Sequence, residues 1–175
     1  PYQWQVEQSV DKIVKSLKNN NGIYLVPAFT GLGAPYWSPN SRGLLSGLTR
    51  NTDWKDIVRA VLESVAYQSF DLFKAMNKDG LKPREVKVDG GMVLNNWFSQ
   101  FLSNILDVKV IRPKINETTA LGAAFVAGLY IGEFKSLKSI SRRWKIDKRF
   151  DPKINKSSRI KLLKGWEQAI KRTLI

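Results

Sequence analysis

Val86-Lys87-Val88-Asp89-Gly90-Gly91-Met92-Val93-Leu94-Asn95-Asn96, residues 86–96, passes from an apolar-alternating run through two consecutive glycines into an amphipathic stretch. The pattern predicts a short strand at Val86–Val88, a glycine turn, and a helix over Asn95–Leu106. With no Cβ at Gly90 or Gly91 a ligand can approach the backbone closely, and the free N–H groups at a helix start favour an anion such as phosphate. Asn95, one turn on, can offer a donor and an acceptor to a base or ribose edge. The competing reading is a tight strand-to-helix turn capped by Asp89, with no ligand. A glycine pair alone does not decide between them.

Outward from this unit, strands and helices continue to alternate. Downstream, Val108–Ile111 reads as a strand and Thr118–Tyr130 as a helix. Residues 117–128, ETTALGAAFVAG, put alanine and glycine along one side of that helix, which predicts close packing on a neighbour. Upstream, Asn51-Thr52-Asp53 supplies helix-starting side chains. The long helix that follows has an apolar row at Ile57, Val61, Val65, Leu72 and Met76, expected to face the core, and Gly80 as its stop. Two further strands are expected at Ile23–Val26 and Gly43–Leu48, separated by a glycine and proline loop from Thr30 to Pro39. An opening helix through Gln3, Val6, Val10, Ile13 and Leu17 should end at Asn19–Gly22. The charged tail from Lys138 reads as a loop at Asp147–Pro152 and a helix from Ser158 to about Thr173. This alternation predicts one α/β domain, and 175 residues are the size of a single core.

Composition removes several function classes. With no cysteine and no histidine there is no disulfide, thiolate nucleophile, imidazole base or soft-metal ligand set. The longest apolar stretch, Ala120–Ile131, is interrupted by Gly122 and Gly128 and is too short for a membrane span. A cytoplasmic protein without a membrane partner is expected. The chain starts at Pro1, in a polar and aromatic run, which reads as a piece of a longer polypeptide. The net charge of +14 raises nucleic acid as a partner. The lysines and arginines are spread along the whole length, however, with no zinc-finger spacing or aromatic RNA-binding signature, so a solvated basic surface is the better reading.

Residues 27–39, PAFTGLGAPYWSP, contain Gly31-Leu32-Gly33 but have Tyr36 where a dinucleotide fingerprint needs its third glycine, and no Walker lysine with serine or threonine occurs. Taken together, five strings carry a resemblance: PAFTGLGAPYW at 27–37, RGLLSGLTR at 42–50, IVRAVLESVAYQ at 57–68, VDGGMVLNN at 88–96 and ETTALGAAFVAGL at 117–129. In this order and spacing the chain is similar to the C-terminal, nucleotide-side half of glycerol kinases of the FGGY carbohydrate kinase family. The resemblance covers roughly residues 1–150 and is looser in the lysine-rich tail.

The resemblance implies an α/β, ribonuclease H-like (actin-like ATPase) fold and the reaction ATP plus glycerol to ADP plus glycerol 3-phosphate. By it, Gly91 and Asn95 would contact the nucleotide, Gly90 would shape the turn, and Gln3 would also face ATP. Mg²⁺ is expected on the phosphates, and the Glu117–Gly122 helix start is expected at the domain hinge. The family's general-base aspartate, its glycerol-contacting residues and its first phosphate loop belong to an N-terminal half whose motifs do not occur in these 175 residues. Asp89 belongs to the adenosine side of the cleft and does not replace that base. The expectation is therefore ATP/ADP as direct partner, glycerol only through the missing domain, and negligible turnover by the chain alone. Self-association through the uncovered interface is also expected. Two alternatives stay open: another FGGY sugar kinase, acting on gluconate or xylulose, or a non-catalytic product of a split gene.

Overall fold

The computed structural model describes residues 10–174. Gln3 and the beginning of the expected opening helix lie outside the described residues. Residues 10–16 are helical (α1), and Val14 is fully buried. Asn21 and Gly22, both at positive φ, turn the chain into β1 (Tyr24–Val26). This strand pairs antiparallel with β2 (Leu44–Ser46), Tyr24 opposite Ser46. The loop between them is pinched by Leu32 and Ser38, which exchange two backbone hydrogen bonds of 2.8 and 2.9 Å.

Helix α2 (Trp54–Lys78) starts at Asp53 in a capping box: the Asp53 carboxylate accepts from the Trp54 N–H, and Asp56 accepts from the Asp53 N–H at 2.9 Å. The core face expected for this helix is not the one observed. Of the expected row only Val65 packs against the core; Ile57, Val61, Leu72 and Met76 are each 37–44% exposed, whereas Asp56, Arg59, Ala60, Leu62, Glu63, Ser64, Ala66, Tyr67 and Asp71 are buried. The buried row has helical spacing as well, but it is rich in polar groups that pair partly with one another along the helix and partly with other elements. Arg59 donates to Glu63 (2.7 Å) and to the Leu17 carbonyl (2.8 Å), and the Tyr67 hydroxyl donates to the other Glu63 oxygen at 3.0 Å. Once satisfied in this way, a polar face can be buried in place of an apolar one.

The second sheet comprises β3 (Glu85–Lys87), β4 (Lys109–Pro113) and β5 (Ile146–Phe150). β3 and β4 are parallel and are joined through α3 (Asn96–Leu106); β5 lies antiparallel on β4. The loop expected at Asp147–Pro152 is therefore mostly strand. Only Ile146 and Phe150 of Ile-Asp-Lys-Arg-Phe are apolar. The charged residues between them suit an edge strand, which masks the strand signal. Helix α4 (Thr118–Tyr130) has the expected bounds but not the expected packing. Only Gly128 is buried, Val126 and Tyr130 are 67% and 92% exposed, and no other helix of the described residues packs closely on it. Apart from Gly128, which lies against the Phe134 ring, its small residues have no facing layer within the described residues. After the short α5 (Leu137–Ser141), α6 (Lys156–Thr173) is capped by Asn155, whose side chain accepts from the Ser158 N–H at 2.8 Å. No helix of the described residues is long and apolar enough to cross a membrane.

The core lies where α2, α3, α6 and β1 meet. Tyr67 stacks on Trp166 with centroids 5.2 Å apart and meets Phe101 edge-on at 5.7 Å. Next to this stack the Trp166 indole N–H donates to Asp71 at 2.7 Å. Burial is the main reason Asp71 titrates above the usual carboxylate range, outweighing the lowering by Trp166 and Tyr36. The folded state thus holds the Asp71 proton more tightly than the unfolded chain does. The stability this contributes is fully present below the unfolded pKa and is lost as pH rises through the folded one. Relative to an Asp71→Asn variant, wild-type stability in urea denaturation should fall as pH rises from the acid side to neutrality. A difference that does not change with pH would refute this.

Candidate functional site

In α/β sheets, ligands collect at the carboxyl ends of the strands. β3 and β4 are parallel, so the segments that follow them leave the sheet side by side, and they are stitched together. The Val88 N–H donates to the Ile111 carbonyl at 3.1 Å, and the Gly90 N–H to the Asn116 carbonyl at 3.0 Å. Gly90 has φ 86° and ψ 174°, a conformation closed to residues with a Cβ, and a Cβ built there would meet nothing within 4 Å. The backbone conformation therefore requires glycine, and the space beside it is open.

The chain does not enter an α-helix directly after the glycines. Gly91–Leu94 form a 3₁₀ turn, and α3 starts only at Asn96. Asp89 is exposed and caps nothing: the residue before the 3₁₀ turn is Gly90, and no side chain caps it. The capping group is Asn95, whose Oδ1 accepts from the Phe98 N–H at 3.0 Å. Of the donor and acceptor expected from Asn95, the acceptor is committed to the helix, and the amide NH₂ has no partner among the described residues. Val93 is buried beneath the turn, and Met92 and Leu94 are each 42% exposed at its surface. Asn116 Oδ1, on the adjoining segment, is buried without a hydrogen-bond partner among the described residues.

The structure thus brings Gly90, Gly91 and Asn95 together in one turn, while Gln3 lies outside the described residues. Two residues of this region went unread in the sequence. Arg112, at the end of β4, and Asp147, on β5, form an ion pair of 2.7 Å beneath the turn. The available signal was an arginine next to the last residue of a strand whose other charged residue, Lys109, stands at its start. A concavity of about 920 Å³ opens elsewhere, between the Asn19–Gly22 turn, α3 and α6; Gly90, Gly91 and Asn95 do not line it.

A family model described as the FGGY family of carbohydrate kinases, C-terminal domain, matches residues 4–130, well over half of the chain. The chain belongs to the FGGY family of carbohydrate kinases. Among curated FGGY relatives, it is 49% identical over 167 residues to a glycerol kinase of Shewanella piezotolerans, covering 95% of this chain and 34% of that protein. It is 52% identical over 154 residues to glycerol kinase 1 of Pseudomonas aeruginosa, covering 88% and 31%. The FGGY chain spans about a third of the length of these relatives. Among solved structures it superposes on Plasmodium falciparum glycerol kinase with ADP at TM-score 0.83 and 37% identity, covering 96% of this chain and 34% of that one. A xylulose kinase from Lactobacillus acidophilus matches at TM-score 0.73 and 25% identity over 94% of this chain and 33% of that one. The fold is therefore that of the FGGY C-terminal domain, with its actin-like architecture. The tail, in which the family strings fade, is still within the aligned length, since the two glycerol kinases from Shewanella and Plasmodium cover 95% and 96% of the chain.

Proposed function

We propose that this chain is the nucleotide-side domain of a glycerol kinase, a phosphotransferase that converts ATP and glycerol to ADP and glycerol 3-phosphate. The observation that carries this reading is the Gly90-Gly91 turn, open beside Gly90 and set at the carboxyl ends of two parallel strands. The identity of about one half to glycerol kinases, against 25% to a xylulose kinase, favours glycerol over other polyols. In this reading Gly90 bends the backbone, and the first N–H groups of the 3₁₀ turn from Gly91 face the nucleotide. Asn95 offers its amide NH₂, and Gln3 approaches from the start of the chain. Phosphoryl transfer relies chiefly on positioning and charge stabilisation, with cleft closure assembling the site. This domain supplies one wall. The general base, the glycerol contacts and the first phosphate loop would come from the other two-thirds of the protein, so the chain alone should show negligible turnover.

The described residues contain no group of three or more His, Cys, Asp or Glu able to hold a metal. They do not fit a resident Mg²⁺ cage; magnesium would arrive on the nucleotide phosphates.

Isothermal titration of ADP with Mg²⁺ into the purified chain tests the proposal, with Gly91→Asp as control. Gly91 is the first residue of the 3₁₀ turn, where Gly91→Asp adds a charged side chain; a thermal melt near that of wild type would show that the fold is kept. The added carboxylate would repel the nucleotide phosphates. Wild-type binding that the variant reduces to the heat of dilution is the expected result. Equal binding by both, or by neither, would overturn the assignment of this turn.

A further inference from the structure

The 3₁₀ turn is held from below by a side chain on another strand. Arg112, 7% exposed, donates from one terminal nitrogen to the carbonyls of Val93 (2.7 Å) and Leu94 (3.1 Å). Its other terminal nitrogen donates to Asn96 Oδ1 at 3.3 Å, and its Nε to Asp147 Oδ2 at 2.8 Å. One rigid fork thus grips the last two residues of the turn and the first residue of α3, and Asp147 sets its orientation. Lys148, beside Asp147, also donates to Asn96 Oδ1, at 3.2 Å. The Ser99 hydroxyl shares the Val93 carbonyl at 2.8 Å.

A 3₁₀ turn has poorer hydrogen-bond geometry than an α-helix and needs outside partners for its terminal carbonyls. The partners here are Arg112 from β4 and Ser99 from α3, and β5 acts on them through Asp147, which holds Arg112. β5 lies beyond residue 130, where the match to the family model ends.

We propose that Arg112, oriented by Asp147, is a positioning residue for the nucleotide turn, so that a tail strand outside the matched family domain sets nucleotide affinity. The proposal rests on the nucleotide reading above. Arg112 reaches the turn from below through the Val93 and Leu94 carbonyls, and it acts by keeping Gly91 to Asn95 in the single conformation that receives the ligand. If the fork is lost, only a fraction of molecules holds that conformation, and the apparent dissociation constant rises by the inverse of the fraction.

The test uses the whole 175-residue chain, with ADP and Mg²⁺ followed by amide NMR. Hydrogen exchange at residues 90–98 is measured separately in the free protein. Arg112→Met should speed exchange across 90–98 and weaken ADP binding about tenfold if one molecule in roughly ten stays competent. Arg112→Lys should recover only part of the affinity, because an ammonium cannot reproduce the fork. Asp147→Asn, at a residue whose side chain is 44% exposed, removes the orienting charge without opening the core and should weaken binding in the same direction, by less. Thermal melts near that of wild type would show that these effects are local.

Unchanged ADP affinity in Arg112→Met and Asp147→Asn, with wild type binding normally, overturns the proposal and leaves the nucleotide reading intact. Failure of wild type to bind ADP overturns both. In that case exchange protection at 90–98 would show a turn that is ordered but does not receive a nucleotide.

Discussion

Replacing Arg59 with methionine should cost the protein about 3–5 kcal/mol at neutral pH, the range for removing one partner of a buried ion pair. Glu63 is completely buried and hydrogen-bonded by Arg59 and Tyr67. Even with both partners, burial pushes its carboxyl above the usual carboxylate range. Without the guanidinium, the carboxylate either stays charged in a poor environment or takes up a proton. A loss of this size is a large part of the roughly 5–15 kcal/mol that holds a domain folded. The sign with pH follows. A raised folded pKa means that the native state binds more protons than the unfolded chain, so stability falls as pH rises above the carboxylate's ordinary value. Losing Arg59 strengthens that dependence. Urea midpoints should therefore separate wild type from Arg59→Met most at neutral pH and least in acid. The pair Arg59→Met with Glu63→Gln should recover much of the loss, since a neutral amide still accepts from Tyr67. A penalty that does not vary with pH would count against Glu63 as its source.

The second large effect is expected at Gly47, which follows β2. Its φ is 86°, and a Cβ there would lie 2.0 Å from the Gly22 carbonyl oxygen and 2.8 Å from the Gly22 carbonyl carbon. Both obstacles are backbone atoms, so no rotamer change relieves the clash. Gly47→Ala combines a positive φ with overpacking, each typically worth about 1–3 kcal/mol, and should cost on the order of 3 kcal/mol or more. It should also loosen the β1–β2 pair, because the clash can be relieved only by separating the turn before β1 from the end of β2. Thermal unfolding checks the first consequence and amide exchange at Tyr24 and Val26 the second. A melting temperature within a degree or two of wild type would refute both.

Much of the candidate site was legible because glycine and capping signals are local. The Gly90-Gly91 pair between an apolar strand and an amphipathic helix marked the turn, and α4 began and ended at the expected residues. The parts that were misread depend on distant partners. In α2 the apolar row Ile57, Val61, Val65, Leu72 and Met76 predicts the core face, yet of these only Val65 packs on the core, and the buried face carries Arg59, Glu63 and Asp71. Nothing within the helix announces that Leu17 will accept from Arg59 or that Trp166 will donate to Asp71. Asn95 lies in the turn where the sequence placed it, but its role as helix cap became visible only once Gly91–Leu94 proved to be a separate 3₁₀ turn. β5 was hidden because its middle residues are charged, and its strand character comes from pairing with β4.

The sequence by itself determined most of the elements and their order, the position of the Gly90-Gly91 turn and kinship to the FGGY kinases. Periodicity, glycine placement and short strings are properties of neighbouring residues. Tertiary structure alone decided which face of α2 is buried, which atom of Asn95 caps α3, and that Arg112 grips the turn from below. The deciding hydrogen bonds join residues 42 apart at Arg59 and Leu17, 95 apart at Trp166 and Asp71, and 35 apart at Arg112 and Asp147. A buried polar side chain is stable only where such a partner arrives, and no local pattern records its arrival.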